Sequence, residues 1–167
     1  MLEDKVRFNI PVYQRNYEWR YDQCKQLFSD IEQIYFDRET RESHFLGTIV
    51  YIDSSLYSIG INQLVIIDGQ QRLTTVILLL KAIYDMLDED SNYRKMIYKS
   101  YFINEFEKDE DKKLKLWLME LDDAIFIKMM KNQEIEEKES SIYKNYNYFR
   151  ELLENSDLSL EEIYMGV

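Results

Sequence analysis

The chain has 167 residues, 46% hydrophobic and 14% aromatic, which suits one real core with room for a small second module and excludes wholesale disorder despite 32% charged residues. A net charge of −11 argues against wholesale electrostatic binding to nucleic acid, which needs Lys and Arg to neutralise phosphates. One cysteine (Cys24) and one histidine (His44) leave no internal disulfide and no His/Cys metal cluster to propose; with no basic-apolar leader and no apolar run longer than Val76 to Leu80, the expected compartment is the cytoplasm.

The acidity is uneven. Residues 1–106 hold 12 Lys and Arg against 16 Asp and Glu, and residues 107–167 hold 9 against 16, so a local basic groove in the first part is compatible with the total. The acidic C-terminal third reads most simply as a solvated helical surface.

In chain order, Val6 to Trp19 is expected to be extended, because β-branched and aromatic residues recur there and Pro11 forbids a helix interior. Alternation along such a strand would put Tyr13, Arg15, Tyr17 and Trp19 on one face, either stacking a ligand or facing the core. Tyr21 to Phe36 reads as an amphipathic helix with Cys24, Leu27, Phe28, Ile31, Ile34 and Tyr35 on its apolar stripe, which makes Cys24 a core residue. His44 to Asp53 predicts a strand, with His44 a strand-end residue rather than a base. Ser54 to Gly60 starts another strand or turns, and Asn62 to Asp68 is a third. Leu73 to Leu87 is apolar nearly all round and is expected to be a buried helix. Beyond Asp88, helical segments alternate with acidic linkers: Asn92–Phe102, Met119–Met130 and Ser140–Glu154, the last with Ile142, Tyr146, Phe149 and Leu153 on one stripe. Ser159 and Glu162 form a capping box for a helix from Leu160, and its early stop implies a fragment or a completing partner. The expected organisation is a small α/β domain over 1–88 followed by a helical region over 89–167.

Between the third strand and the apolar helix stands a polar knot, Asp68-Gly69-Gln70-Gln71-Arg72. A helix beginning near Gln70 leaves its first N–H groups without intrahelical partners at the positive end of the helix dipole. Gly69 permits a tight turn and close approach of an anion, and Arg72 offers a planar fork of donors for phosphate oxygens. Gln70 and Gln71 could hold phosphate or a water, and Asp68 could cap the helix or bind a metal-bound water. Composition alone favours a plain Asp-Gly turn capping a buried helix. Against that stands the cost of placing an Arg and two Gln between core segments without partners.

IPVYQRNYEW, HFLGTIVY and VIIDGQQRLTT together resemble the N-terminal domain of GmrSD-type restriction endonucleases, the type IV, modification-dependent family catalogued as domain of unknown function 262. Ile10, Pro11, Tyr13, Gln14, Arg15, Tyr17, Trp19 and Asp68 to Thr75 carry the two motifs. The resemblance covers nearly the whole chain and is strongest over residues 8–88. It implies an α/β (α+β) fold, a small ParB/sulfiredoxin-like mixed sheet with a buried helix followed by a helical region. It also implies nucleoside triphosphate binding and hydrolysis with Mg²⁺ or another divalent ion, within anti-phage defence against modified DNA. On that reading Asp68, Gly69, Gln70, Gln71 and Arg72 form the nucleotide loop, with Asp68, Gln70, Gln71 and Arg72 catalytic and Asp68 the metal ligand. Gln14 and Arg15 become companions on the neighbouring strand. Family members commonly continue into an HNH-type nuclease domain, which a chain with one histidine cannot itself supply. The alternative is a non-catalytic module that senses nucleotide or DNA, or docks a nuclease subunit.

Overall fold

The computed structural model describes residues 5–37, 47–54, 61–109 and 112–167. His44 and most of the Ser54–Gly60 segment therefore lie outside the described residues. The architecture is α+β, as expected: a mixed four-stranded sheet packed with helices around one core.

Strand β1 (Val6–Asn9) lies inside the sheet, parallel both to β3 (Asn62–Asp68) and to β4 (Leu116–Trp117). Strand β2 (Val50–Asp53) pairs antiparallel with β3, giving the order β2-β3-β1-β4. Phe8, Leu64 and Ile66 point into the core from the central strands. The extended segment expected to reach Trp19 ends at Asn9. Gln14 N–H donates to the Pro11 carbonyl at 3.0 Å, closing a turn that no continuous strand could contain. Gln14 and Arg15 therefore sit on a loop after β1 rather than on a strand, and the one-face alternation fails: Tyr13 is exposed whereas Tyr17 is buried.

Helix α1 (Tyr21–Asp37) buries Cys24, Leu27, Phe28 and Ile31, the i, i+3, i+4, i+7 stripe its sequence spells. Helix α2 (Gln70–Met86) starts one residue after β3 and is buried along most of its length. Its one deeply buried cation, Lys81, contacts Asp85 at 2.5 Å and the Asn132 side-chain oxygen at 2.7 Å. Burial pulls the Lys81 ammonium below its ordinary pKa, and Asp85 opposes that pull.

Downstream, α3 (Asn92–Ile97) runs into a single π turn (Tyr98–Phe102), followed by α4 (Glu120–Met130), α5 (Ser141–Asn155) and α6 (Leu160–Gly166). Strand β4 was not anticipated among these helices. Two residues carry no periodicity, and only pairing with Phe8 and Asn9 makes them a strand. Helix α5 packs on α2 and α1, and α6 packs on α1. The Ser159–Glu162 capping box is present, with Ser159 N–H donating to the Glu162 carboxylate at 2.9 Å. Among the described residues no helix is long and apolar enough to cross a membrane.

Candidate functional site

At the β3–α2 junction, Gly69 adopts φ 88° and ψ 8°, a left-handed conformation that turns the chain from strand to helix within one residue. A Cβ at this position would lie 2.8 Å from the Thr48 carbonyl oxygen, so the close approach of the segment before β2 also requires glycine. Helix α2 begins without a side-chain cap. Its opening amides, which have no acceptor one turn back, are a site for negative charge.

The two glutamines behave differently. Gln71 Oε1 accepts from Glu18 N–H at 2.8 Å and Trp19 N–H at 3.2 Å, while its Nε2 donates to the Asn16 carbonyl at 2.9 Å. Gln70 Nε2 donates to the Arg15 carbonyl at 3.2 Å, and Gln14 Nε2 donates to the Ile67 carbonyl at 2.9 Å. Side-chain amides thus staple the 14–19 loop to the end of β3 and the first turn of α2. Most of the polarity wedged between two core segments is accounted for by this stapling. One atom is not: Gln70 Oε1 is buried with no hydrogen-bond partner, on a residue only 7% exposed. An orphaned buried acceptor is costly, and it asks for a donor from outside the chain.

Gln14, Arg15, Trp19, Asp68, Gly69, Gln70, Gln71 and Arg72 line one cavity of about 180 Å³. Gln14, Arg15 and the whole Asp68–Arg72 knot, the residues assigned from the sequence to the nucleotide loop and its companions, thus share one cavity wall. Arg72 donates to the Thr48 carbonyl at 2.7 Å and packs so closely over Gly47 that a Cβ there would meet its guanidinium at 2.5 Å. One arm of the fork is held, and Arg72 still lines the cavity. Arg15 is well exposed, with only a long 3.5 Å contact to Glu18. Asp68 is exposed at the mouth, and no group of three metal-ligating side chains occurs among the described residues.

Two residues beneath the cavity went unnoticed in the sequence. Asp122, on α4, accepts from Tyr17 N–H at 2.7 Å and shares with Arg15, Gln70 and Gln71 a void of about 10 Å³, the size of one water. Burial raises the Asp122 pKa, opposed by the Tyr17 N–H. Asn145, on α5, donates to the Tyr17 hydroxyl at 3.0 Å and to the Trp19 carbonyl at 2.7 Å. Tyr17 and Thr75 hydroxyls meet at 2.7 Å, and Thr75 already donates to the Gln71 carbonyl. Cys24 also meets the Tyr17 hydroxyl, so Asn145, Tyr17, Cys24, Thr75 and the Gln71 carbonyl form one buried hydrogen-bonded cluster. The aspartate pair in MELDD and the lone Asn on the α5 stripe were the available signals, and both passed as ordinary helical composition.

No curated protein matches the chain. The sequence model of the GmrSD restriction endonuclease N-terminal domain matches residues 1–166, carrying the junction and its stapled loop within it. On that match, the chain belongs to the GmrSD restriction endonuclease N-terminal domain family.

Proposed function

We propose that this domain binds a nucleoside triphosphate at the β3–α2 junction and hydrolyses it, within a modification-dependent restriction protein whose DNA-cleaving activity resides in a nuclease module. The observation that carries the reading is one cavity at which Arg15, Arg72 and the start of α2 converge, with Gln70, whose buried side-chain oxygen has no partner, in its wall. Phosphate oxygens accept and do not donate, so they suit Arg15, Arg72 and the opening amides of α2. The Gln70 oxygen accepts only, so it suits a water or the water shell of a bound ion. Magnesium fits this donor set: it keeps several waters and takes substrate phosphates plus one or two carboxylates, here Asp68. Bound with the nucleotide, it would neutralise phosphate charge. Gln71 acts by holding the loop that presents Arg15 and Trp19.

Calorimetric titration of each of the four nucleoside triphosphates with Mg²⁺ tests this. One or more should bind, and Arg72→Ala should weaken binding by about 1.5–3 kcal/mol, the loss of a charge-assisted hydrogen bond. Gln70→Ala should reduce phosphate release more than it reduces binding. Absence of binding, together with a melting temperature unmoved by any nucleotide, overturns the reading, because a ligand of the native state must stabilise it.

One observation favours a second reading, a sensor without turnover. Both Gln71 amide atoms are engaged by loop backbone, which takes one of the glutamines at the cavity out of any role in placing a water. Tight nucleotide binding with no phosphate release above background would select it.

A further inference from the structure

We propose that a second cavity of about 370 Å³, lined by Trp19, Arg20, Tyr21, Glu139, Ser141, Lys144 and Asn145, is the nucleoside subsite of the same ligand. It takes the base and ribose, while the phosphates lie against Gln70 and Arg72; the inference rests on the nucleotide reading above.

Size is the first ground. Pockets that enclose small-molecule ligands run to roughly 300–1,000 Å³. The junction cavity, at about 180 Å³, has space for a phosphate chain and not for a nucleoside as well. The second cavity falls within the range and shares Trp19 with the first, so the two flank one residue. A ligand that extends around Trp19 from the phosphate end would reach it.

The chemistry is that of a base site. Trp19 and Tyr21 present aromatic surface for stacking, which any base can use. Ser141 and Lys144, on the first turn of α5, offer a hydroxyl and a cation at the edge, where ribose hydroxyls or base carbonyls could be read. Lys144 holds Glu139 at 2.6 Å, and both stay solvent-accessible.

The wall between the cavities is built rigidly. Trp19 N–H is held by Gln71 and the Trp19 carbonyl by Asn145. Those amides are 8% and 1% exposed respectively. Two buried polar side chains, one from the helix under each subsite, are committed to one backbone position. That is the preorganisation a two-part ligand needs, since ordering the loop is already accomplished before binding.

The test uses the full chain carrying Trp117→Phe, which leaves Trp19 as the sole tryptophan. Fluorescence is followed while ATP, GTP, CTP, UTP and inorganic triphosphate are titrated with Mg²⁺. At least one nucleotide should quench Trp19 and bind roughly tenfold or more tightly than inorganic triphosphate, the share that base stacking contributes. Lys144→Ala, and Ser141→Phe as a cavity-filling change on a half-buried position, should each bring nucleotide affinity down towards that of triphosphate. Equal affinity for triphosphate and all four nucleotides, without quenching, overturns the subsite and leaves the phosphate site standing. No binding by either ligand class removes the phosphate site as well. Quenching by a short single-stranded oligonucleotide and by none of the nucleotides would show that the cavity takes a strand, which also overturns the proposal.

Discussion

At the scale of the residue, identity and neighbourhood diverge. The sequence marks Gln70 and Gln71 as a pair, yet one is fully engaged by loop backbone and the other retains an orphaned oxygen. No local pattern distinguishes them, because their partners lie on a loop far away in the chain. Asp122 is similar: a surface-type residue by sequence, half-buried beneath the cavity in fact. Its folded pKa lies above the ordinary 3.8, so the native state favours the protonated carboxyl. As pH rises from the ordinary carboxylate value through the raised one, ionisation of the buried group costs stability. Asp122→Asn, whose amide oxygen can still accept from Tyr17 N–H, lacks that cost. Denaturant melts across acidic to neutral pH should show the two proteins similar at the acid end, with the variant gaining relative to wild type above that window. Parallel curves throughout would mean Asp122 titrates as it does in the unfolded chain.

At the scale of the element, the parts read correctly were those with a repeating signal. Helix α1 shows its stripe, α2 its apolar length, and α6 its capping box. The β3–α2 junction was legible too, as a polar interruption between two apolar runs. The stretch after β1 was misread because alternating aromatics imitate a strand, whereas side-chain amides from Gln70 and Gln71 hold it as an irregular loop. The junction itself is tightly specified. Gly69→Ala imposes a left-handed conformation costing about 1–2 kcal/mol and drives a Cβ against the Thr48 carbonyl. A loss of about 2 kcal/mol is expected, read as a melting temperature lower by roughly 4–8 °C for a chain of this size. A melting temperature unchanged within error would show that the 47–49 backbone yields freely.

At the scale of the whole molecule, sequence-distant pieces complete one another. Arg7, in β1, is buried and donates to Glu107 at 3.0 Å and to the Lys112 carbonyl, while stacking 4.4 Å from the Trp117 ring. Glu107 is held below the usual carboxylate range, first by the Asp109 N–H and then by Arg7. Arg7 thereby ties the first strand to the segment that delivers β4. Truncating Arg7 removes the donor shared by Glu107 and the Lys112 carbonyl, so Arg7→Ala should lower the denaturation midpoint, while Arg7→Met, which keeps the packing stem, lowers it less. Equal shifts for both would place the contribution in the charge alone. The net charge of −11 does not describe the site, where Arg15 and Arg72 face a single Asp68.

The Trp19 carbonyl, which can only accept, fixes which end of the Asn145 amide is nitrogen. Replacing that nitrogen with oxygen, as Asn145→Asp does, alters almost nothing in shape and reverses the polarity of the contact. A carboxylate would then confront the Trp19 carbonyl, two acceptors with no proton between them, in a position 1% exposed. The most conservative exchange by outline should therefore be more disruptive than Asn145→Ala, freeing the loop from α5 so that amide hydrogen exchange at Glu18 and Trp19 accelerates. In this fold a spontaneous deamidation would act as a latch release.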